Sequence, residues 1–127
     1  MNSIKTNLLG LLGLLFMPIA NSSDVDPFVG KWCGKWDQTY QTCYTISKDG
    51  GSIDSKMRYS MLYEWQEQID GGFNKKTIEG RQVNSNTIDF QGKIIILDLT
   101  QKIKKNAIGV GLFERYSRIA LLKKIED

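Results

Sequence analysis

The chain contains no histidine, and that absence removes the commonest general base, the commonest metal ligand and every His-dependent catalytic triad at once. Cysteine is scarce. The two residues present, Cys33 and Cys43, have no C-x-x-C spacing and each falls inside a strand pattern, which argues against redox catalysis. Charge of either sign is not in excess: 17 Lys and Arg stand against 14 Asp and Glu. A balance this close to neutral gives no ground for nucleic acid or an acidic polymer as partner. The basic clusters Lys75-Lys76, Lys102 with Lys104-Lys105, and Lys123-Lys124 fall at strand ends or turns, where lysine guards edges and keeps a small domain soluble. Asp49 and Asp70 lie beside glycines but without the spaced ligands of a calcium loop, so neither a metal nor any other cofactor is implied.

Long apolar runs are also missing. Leu8 to Ala20 is thirteen residues, whereas a membrane span takes about 20. With Lys5 before the run and the small-x-small Ala20-Asn21-Ser22 after it, residues 1–22 are expected to be a cleavable signal peptide, cut after Ser22, with Ala20 as the alternative. No Cys follows the run, so neither a lipid anchor nor a stable membrane anchor is expected after cleavage. Residues 23–127 are then one exported domain, 105 residues long (127 less 22), in the periplasm or outside the cell. In such a compartment disulfides persist. A Cys33–Cys43 bridge closing about ten residues would stabilise the fold by roughly 2.7 kcal/mol on the chain-entropy account.

Period-two alternation recurs along the domain and helical periodicity does not. Strands are expected at about Phe28–Trp36, Thr42–Ser47, Ser52–Tyr63, Lys75–Arg81, Thr87–Gln91, Lys93–Gln101, Ala107–Phe113 and Arg118–Ile125. The count drops to seven if Glu114 to Ser117, which holds neither Gly nor Pro, fails to break the last two. A hairpin turning at Asp37 to Thr39 sets Trp36 against Tyr40 and Cys33 against Cys43 in one register. Asp49-Gly50-Gly51 and Gln91-Gly92 read as turns, and Glu64 to Asn74 as a long loop. The fold class is therefore all-β. A meander of about eight antiparallel strands avoids open edges by closing into an up-and-down barrel, whose interior holds side chains or one small ligand.

Phe28-Val29-Gly30-Lys31-Trp32 resembles the G-x-W opening of the calycins, the superfamily of lipocalins, fatty-acid-binding proteins and avidins. The resemblance implies that Gly30 and Trp32 lie at the closed end of the barrel and that a last-strand cation, matched here by Arg118, packs over Trp32. It does not imply fatty acid as ligand. Only a tight turn fits where those proteins carry a helical lid, and Ala120 stands where their Arg-x-Tyr would need Tyr. A second G-x-W, Gly34-Lys35-Trp36, leaves the register open by four residues.

Two classes of function follow, with a third behind them. The first is binding of a small hydrophobic or amphipathic molecule, with Trp36, Tyr59, Met61 and Trp65 as lining and mouth residues; the same aromatics would equally serve to fill a solid interior. The second is a non-enzymatic interaction or inhibitor domain of the cell envelope. The third is a carbohydrate-active enzyme using Glu64 and Glu67, which flank Trp65, with Asp70 just beyond.

Overall fold

The computed structural model describes residues 26–48, 58–102 and 105–125. The expected signal peptide, the Asp49-Gly50-Gly51 turn and the first half of the Ser52–Tyr63 strand lie outside these residues.

Eight antiparallel strands form one closed barrel in which each strand pairs with its neighbours in sequence and the last pairs with the first. They are β1 (Gly30–Trp36), β2 (Tyr40–Lys48), β3 (Arg58–Gln66), β4 (Phe73–Asn84), β5 (Thr87–Phe90), β6 (Lys93–Leu97), β7 (Asn106–Leu112) and β8 (Ser117–Ile125). The β1–β2 register sets Trp36 against Tyr40 and Cys33 against Cys43, as the alternation requires. Its turn places Asp37 (φ 50°) and Gln38 (φ 62°) in the left-handed region, and the Thr39 N–H donates to the Trp36 carbonyl at 2.8 Å. That twist matches the twist of the flanking strands. Cys33 and Cys43, on the outer face with Cα atoms 4.1 Å apart, form a disulfide.

Gln91 (φ 55°) and Gly92 (φ 100°) make another tight turn, between β5 and β6. The Glu114 to Ser117 break holds, and Asn106–Leu112 and Ser117–Ile125 pair across it.

Three of the boundary differences from the sequence reading have a clear local cause. Phe28 precedes β1, because the Asp26 carboxylate and carbonyl accept the Phe28 and Val29 N–H groups in a turn. The long loop shrinks to residues 67–72, since β3 runs on to Gln66 and β4 starts at Phe73, the two residues paired. β6 stops at Leu97, where Asp98 turns the chain by accepting the Thr100 N–H.

Inward side chains fill the barrel. Trp32, Tyr44, Met61, Ile88, Phe90 and Ile95 are fully buried, with Trp36, Ile46, Tyr59, Tyr63, Leu97 and Leu122 scarcely less so. Small residues make room for the large ones. A Cβ on Gly80 would lie 2.3 Å from the Phe90 ring, and one on Gly111 would lie 3.0 Å from the Trp36 indole. Of the two interiors the sequence allowed, filled or hollow, the described residues form the filled one.

The far end of the barrel is plugged by the segment entering β1. Phe28 packs edge-on against Tyr59 with ring centroids 5.6 Å apart, the Tyr59 hydroxyl donates to Asp26 at 2.6 Å, and the Trp32 indole N–H donates to the Phe28 carbonyl at 2.9 Å. Gly30 takes a φ of 138°, open to glycine alone, and a Cβ there would strike the Lys124 side chain.

The cation over Trp32 is Lys124, its Nζ 5.4 Å from the ring, and not Arg118. β8 directs Arg118, Ala120, Leu122 and Lys124 to the same inward face, but the β1–β8 register sets Lys124 against Trp32 and Ala120 against Trp36. Arg118 therefore sits at the opposite end. Lys124→Ala is expected to lower the stability by about 1–2 kcal/mol through loss of the stem packing and the ring contact. Arg118→Ala, whose ion pair is largely solvated, should stay within about 1 kcal/mol of the parent. Urea unfolding of the two variants checks this, and the reverse order would contradict the assignment.

Candidate functional site

The loops at residues 37–39, 67–72 and 113–116 gather at the end of the barrel away from Trp32, and the side chains under them form an open cup. The cup is lined by Trp36, Tyr40, Tyr63, Trp65, Gln66, Glu67, Phe113, Tyr116 and Arg118 around a volume of about 330 Å³, inside the range of small-molecule sites. Alternation places these groups. Trp36 ends the inward row of β1, Tyr63 and Trp65 end that of β3, and Arg118 begins that of β8.

Two stacked ring pairs form the walls. Tyr63 lies on Trp65 with centroids 4.8 Å apart and planes 13° from parallel. Phe113 lies on Tyr116 at 5.2 Å and 19°. Trp36 closes the floor between them, edge-on to Phe113, its indole N–H donating to the Tyr63 hydroxyl at 3.1 Å. Because the Trp36 N–H is taken up by the Tyr63 hydroxyl, which also meets Thr42, Trp36 presents apolar ring surface to the floor.

Cations meet the rims of these walls. The Arg118 guanidinium lies 5.2 Å from the Tyr40 centroid and 5.0 Å from that of Tyr116, and is held there by Asp37 at 3.1 Å. Lys93, at the start of β6, sets its Nζ 4.6 Å from the Phe113 centroid and 5.5 Å from that of Tyr63. Burial, with the like charge of Lys76 second, pushes the Lys93 ammonium below the usual lysine range. Burial pushes the Tyr63 phenol above its usual value, against the lowering effect of the Trp36 hydrogen bond and the Arg118 charge.

Of the residues the sequence singled out as ligand-binding, Trp36 and Trp65 come together in the cup, and Tyr59 and Met61 do not. All of the β3 set face inward, but at about 3.3 Å per residue Tyr59 is roughly 20 Å down the strand from Trp65. It belongs to the plugged end, where burial and the Asp26 carboxylate raise its pKa, while Met61 is core. The cup instead recruits Tyr40, Tyr63, Phe113 and Tyr116, with Lys93 beside them. Tyr40 and Tyr63 were legible as inward partners of Trp36 and Trp65, whereas Phe113 and Tyr116 sit at the break with no turn signal.

The carboxylates proposed for glycoside chemistry are separated. Glu64 is on the outer face of β3, between Cys43 and Lys75 in the register, and Glu67 alone lines the cup, accepting the Trp65 indole N–H at 3.4 Å. Continuation of β3 through Gln66 causes the split, because neighbours in a strand face opposite ways. Among the described residues no group of three acids or cysteines is placed to hold a metal ion.

No protein-family model, curated protein or solved structure matches the chain. The chemistry of the cup therefore rests on its own residues.

Proposed function

We propose that this protein is an exported binding protein that holds a small amphipathic molecule in the cup at the open end of its barrel. The observation that carries the reading is the pair of stacked walls, Tyr63–Trp65 and Phe113–Tyr116, facing an unfilled volume over the Trp36 indole. Rings in a solid core interlock on all sides; here Trp65, Phe113 and Tyr116 keep part of their surface open to solvent, while Tyr63 and Trp36 are buried beneath them. The calycin resemblance fits this reading, since the closed antiparallel barrel, Gly30 and a cation over Trp32 are all present, Lys124 taking the role expected of Arg118. Export is supported by the disulfide, which persists in oxidising compartments.

The test is organic extraction of the purified exported protein followed by mass spectrometry. A small amphipathic molecule should be released from the parent and be depleted at least about tenfold from a Trp65→Ala variant, since loss of one stacking wall removes on the order of 1–3 kcal/mol. Equal recovery from both would remove the cup from the account. The intact mass of the same sample reads the amino terminus, Ser23 for cleavage after Ser22 and Asn21 for cleavage after Ala20.

A second reading, an interaction domain, is favoured by the outer face of β6–β8. Ile94, Val110 and Ile119 form one cross-strand row and Ile96, Ile108 and Leu121 the next. Ile108, Ile119 and Leu121 are 42%, 55% and 68% exposed, while the outer faces of β2–β4 carry Gln41, Thr45, Ser47, Glu64, Lys75 and Glu79. The occupant best suited to this face is a second copy of the chain. The face lies on adjacent strands and is self-complementary as an aliphatic patch, as an isologous two-fold contact requires, with Lys35 at its polar margin. Sedimentation velocity should then show a dimer that Leu121→Glu abolishes; a monomer at all concentrations would reject this reading.

A further inference from the structure

Two cations border the cup, and its one lining carboxylate, Glu67, accepts the Trp65 indole N–H and forms an ion pair with neither. Of its cations, Arg118 has a counter-ion in Asp37. Lys93 has none: among the described residues no carboxylate forms an ion pair with it or with Lys76. Lys76 lies across from Tyr63 in the β3–β4 register, on the same face of β4 as the buried Ile78, and its charge acts on Lys93. Lys93 is half-buried, and its Nζ has the faces of Phe113 and Tyr63 as neighbours.

Burying a cation near another of the same sign is unfavourable, and contact with ring faces offsets only part of it. A lysine free to extend into water would avoid this placement. Lys93 is in phase with the inward Ile95 and Leu97, so its stem starts into the barrel mouth, and its Nζ comes to rest against the two rings. The placement becomes favourable once an anion occupies the cup. The remaining lining is mostly ring surface, with Gln66 and Glu67 at the rim, and Trp36 offers no spare donor because its indole N–H is already bonded to Tyr63. The site thus combines aromatic surface with one dominant, unpaired point charge.

We propose that the occupant of the cup is a planar aromatic anion whose ring lies against Tyr63–Trp65 and Phe113–Tyr116 and whose carboxylate, sulfonate or phosphate group pairs with Lys93. Lys76 strengthens the attraction without being the contact. The proposal rests on the cup being a binding site at all, and the experiment separates the two claims.

Two fluorescent probes share one ring system and differ in charge: 8-anilinonaphthalene-1-sulfonate and the uncharged N-phenyl-1-naphthylamine. Each is titrated into the mature, disulfide-bonded protein and its variants. The parent should bind the sulfonate about tenfold tighter than the neutral amine, as expected for one charge-assisted contact. Lys93→Met should abolish that preference while changing the affinity for the amine less than about twofold, Lys93→Arg should retain most of it, and Lys76→Met should weaken sulfonate binding by about two- to threefold. An Ile119→Ser/Leu121→Ser variant, which removes the outer aliphatic face, should bind both probes as the parent does. That result excludes dye adsorbed there. The proposal is overturned if the parent binds both probes equally and Lys93→Met changes neither affinity, a result that leaves the cup standing as a neutral site. Absence of saturable binding by either probe overturns the cup and the proposal together. Unfolding midpoints of the variants accompany the titrations, and should Lys93→Met fail to fold, the Lys93→Arg and Lys76→Met results decide between the same outcomes.

Discussion

Trp32→Ala is expected to destabilise the domain by about 3–5 kcal/mol, the range for deleting a fully buried aromatic. The indole is wholly inaccessible, bonds the Phe28 carbonyl and lies under Lys124. Its removal therefore leaves a void, an unpaired carbonyl and an unsupported cation in one place. A domain of this size has a total stability of roughly 5–15 kcal/mol, so the variant should unfold at a much lower urea concentration and show early loss of the plug around Asp26 and Phe28. A midpoint close to the parent's would mean that the closed end contributes little to the fold. Trp36 is buried to nearly the same degree, so its loss should lower stability as well as alter the floor of the cup.

The second large effect is expected at Gly34. A Cβ there would fall 2.2 Å from the Leu121 carbonyl oxygen and 3.0 Å from the carbonyl carbon. These are main-chain atoms of β8, so no rotamer change relieves the clash; the seam between the first and last strands must move apart. Overpacking commonly costs about 1–3 kcal/mol when side chains can yield, and here only backbone can, so Gly34→Ala should reach or exceed the top of that range, about 3 kcal/mol. Hydrogen exchange should locate the damage, with β1 and β8 amides losing protection ahead of those in β3 and β4. Gly72→Ala is the matched control, since nothing lies within 4 Å of a Cβ at that position; its stability should change by less than about 0.5 kcal/mol. Equal effects at the two glycines would refute the tight seam.

These two residues also show what alternation alone could and could not reveal. The β1–β2 hairpin was legible because one register satisfied two independent pairs, Trp36 with Tyr40 and Cys33 with Cys43, around a turn of fixed length. Barrel closure was legible because closing removes the open edges of a meander of eight short strands. Height along the barrel was not. A period of two says which face a side chain takes, whereas its level depends on the stagger between neighbouring strands. Arg118 and Lys124 are therefore equivalent in phase yet lie at opposite ends, and Tyr59 is in phase with Trp65 yet belongs to the plug. The Gly34-Lys35-Trp36 repeat of the G-x-W pattern has its own cause in the close approach of β8. Glu64 and Glu67 looked like neighbours only while residues 64–74 were read as loop; three more paired residues of β3 send them to different faces. Lys93 is the instructive omission. It opens a strand whose isoleucines drew attention to burial, and only closure of the barrel brings it beside Tyr63 and Phe113.

The central claim is that a small molecule is held in the cup, and the chain's three tryptophans provide the most direct measurement of it. Trp36 and Trp65 line the cup while Trp32 is buried at the far end, so their indole N–H resonances form two reporters and an internal reference. In a titration of the nitrogen-15-labelled mature protein with 8-anilinonaphthalene-1-sulfonate, the Trp36 and Trp65 signals should shift along one saturable curve while Trp32 stays in place. Saturable shifts confined to the Ile119 and Leu121 backbone amides, with both cup indoles unmoved, would contradict the account and assign binding to the outer face.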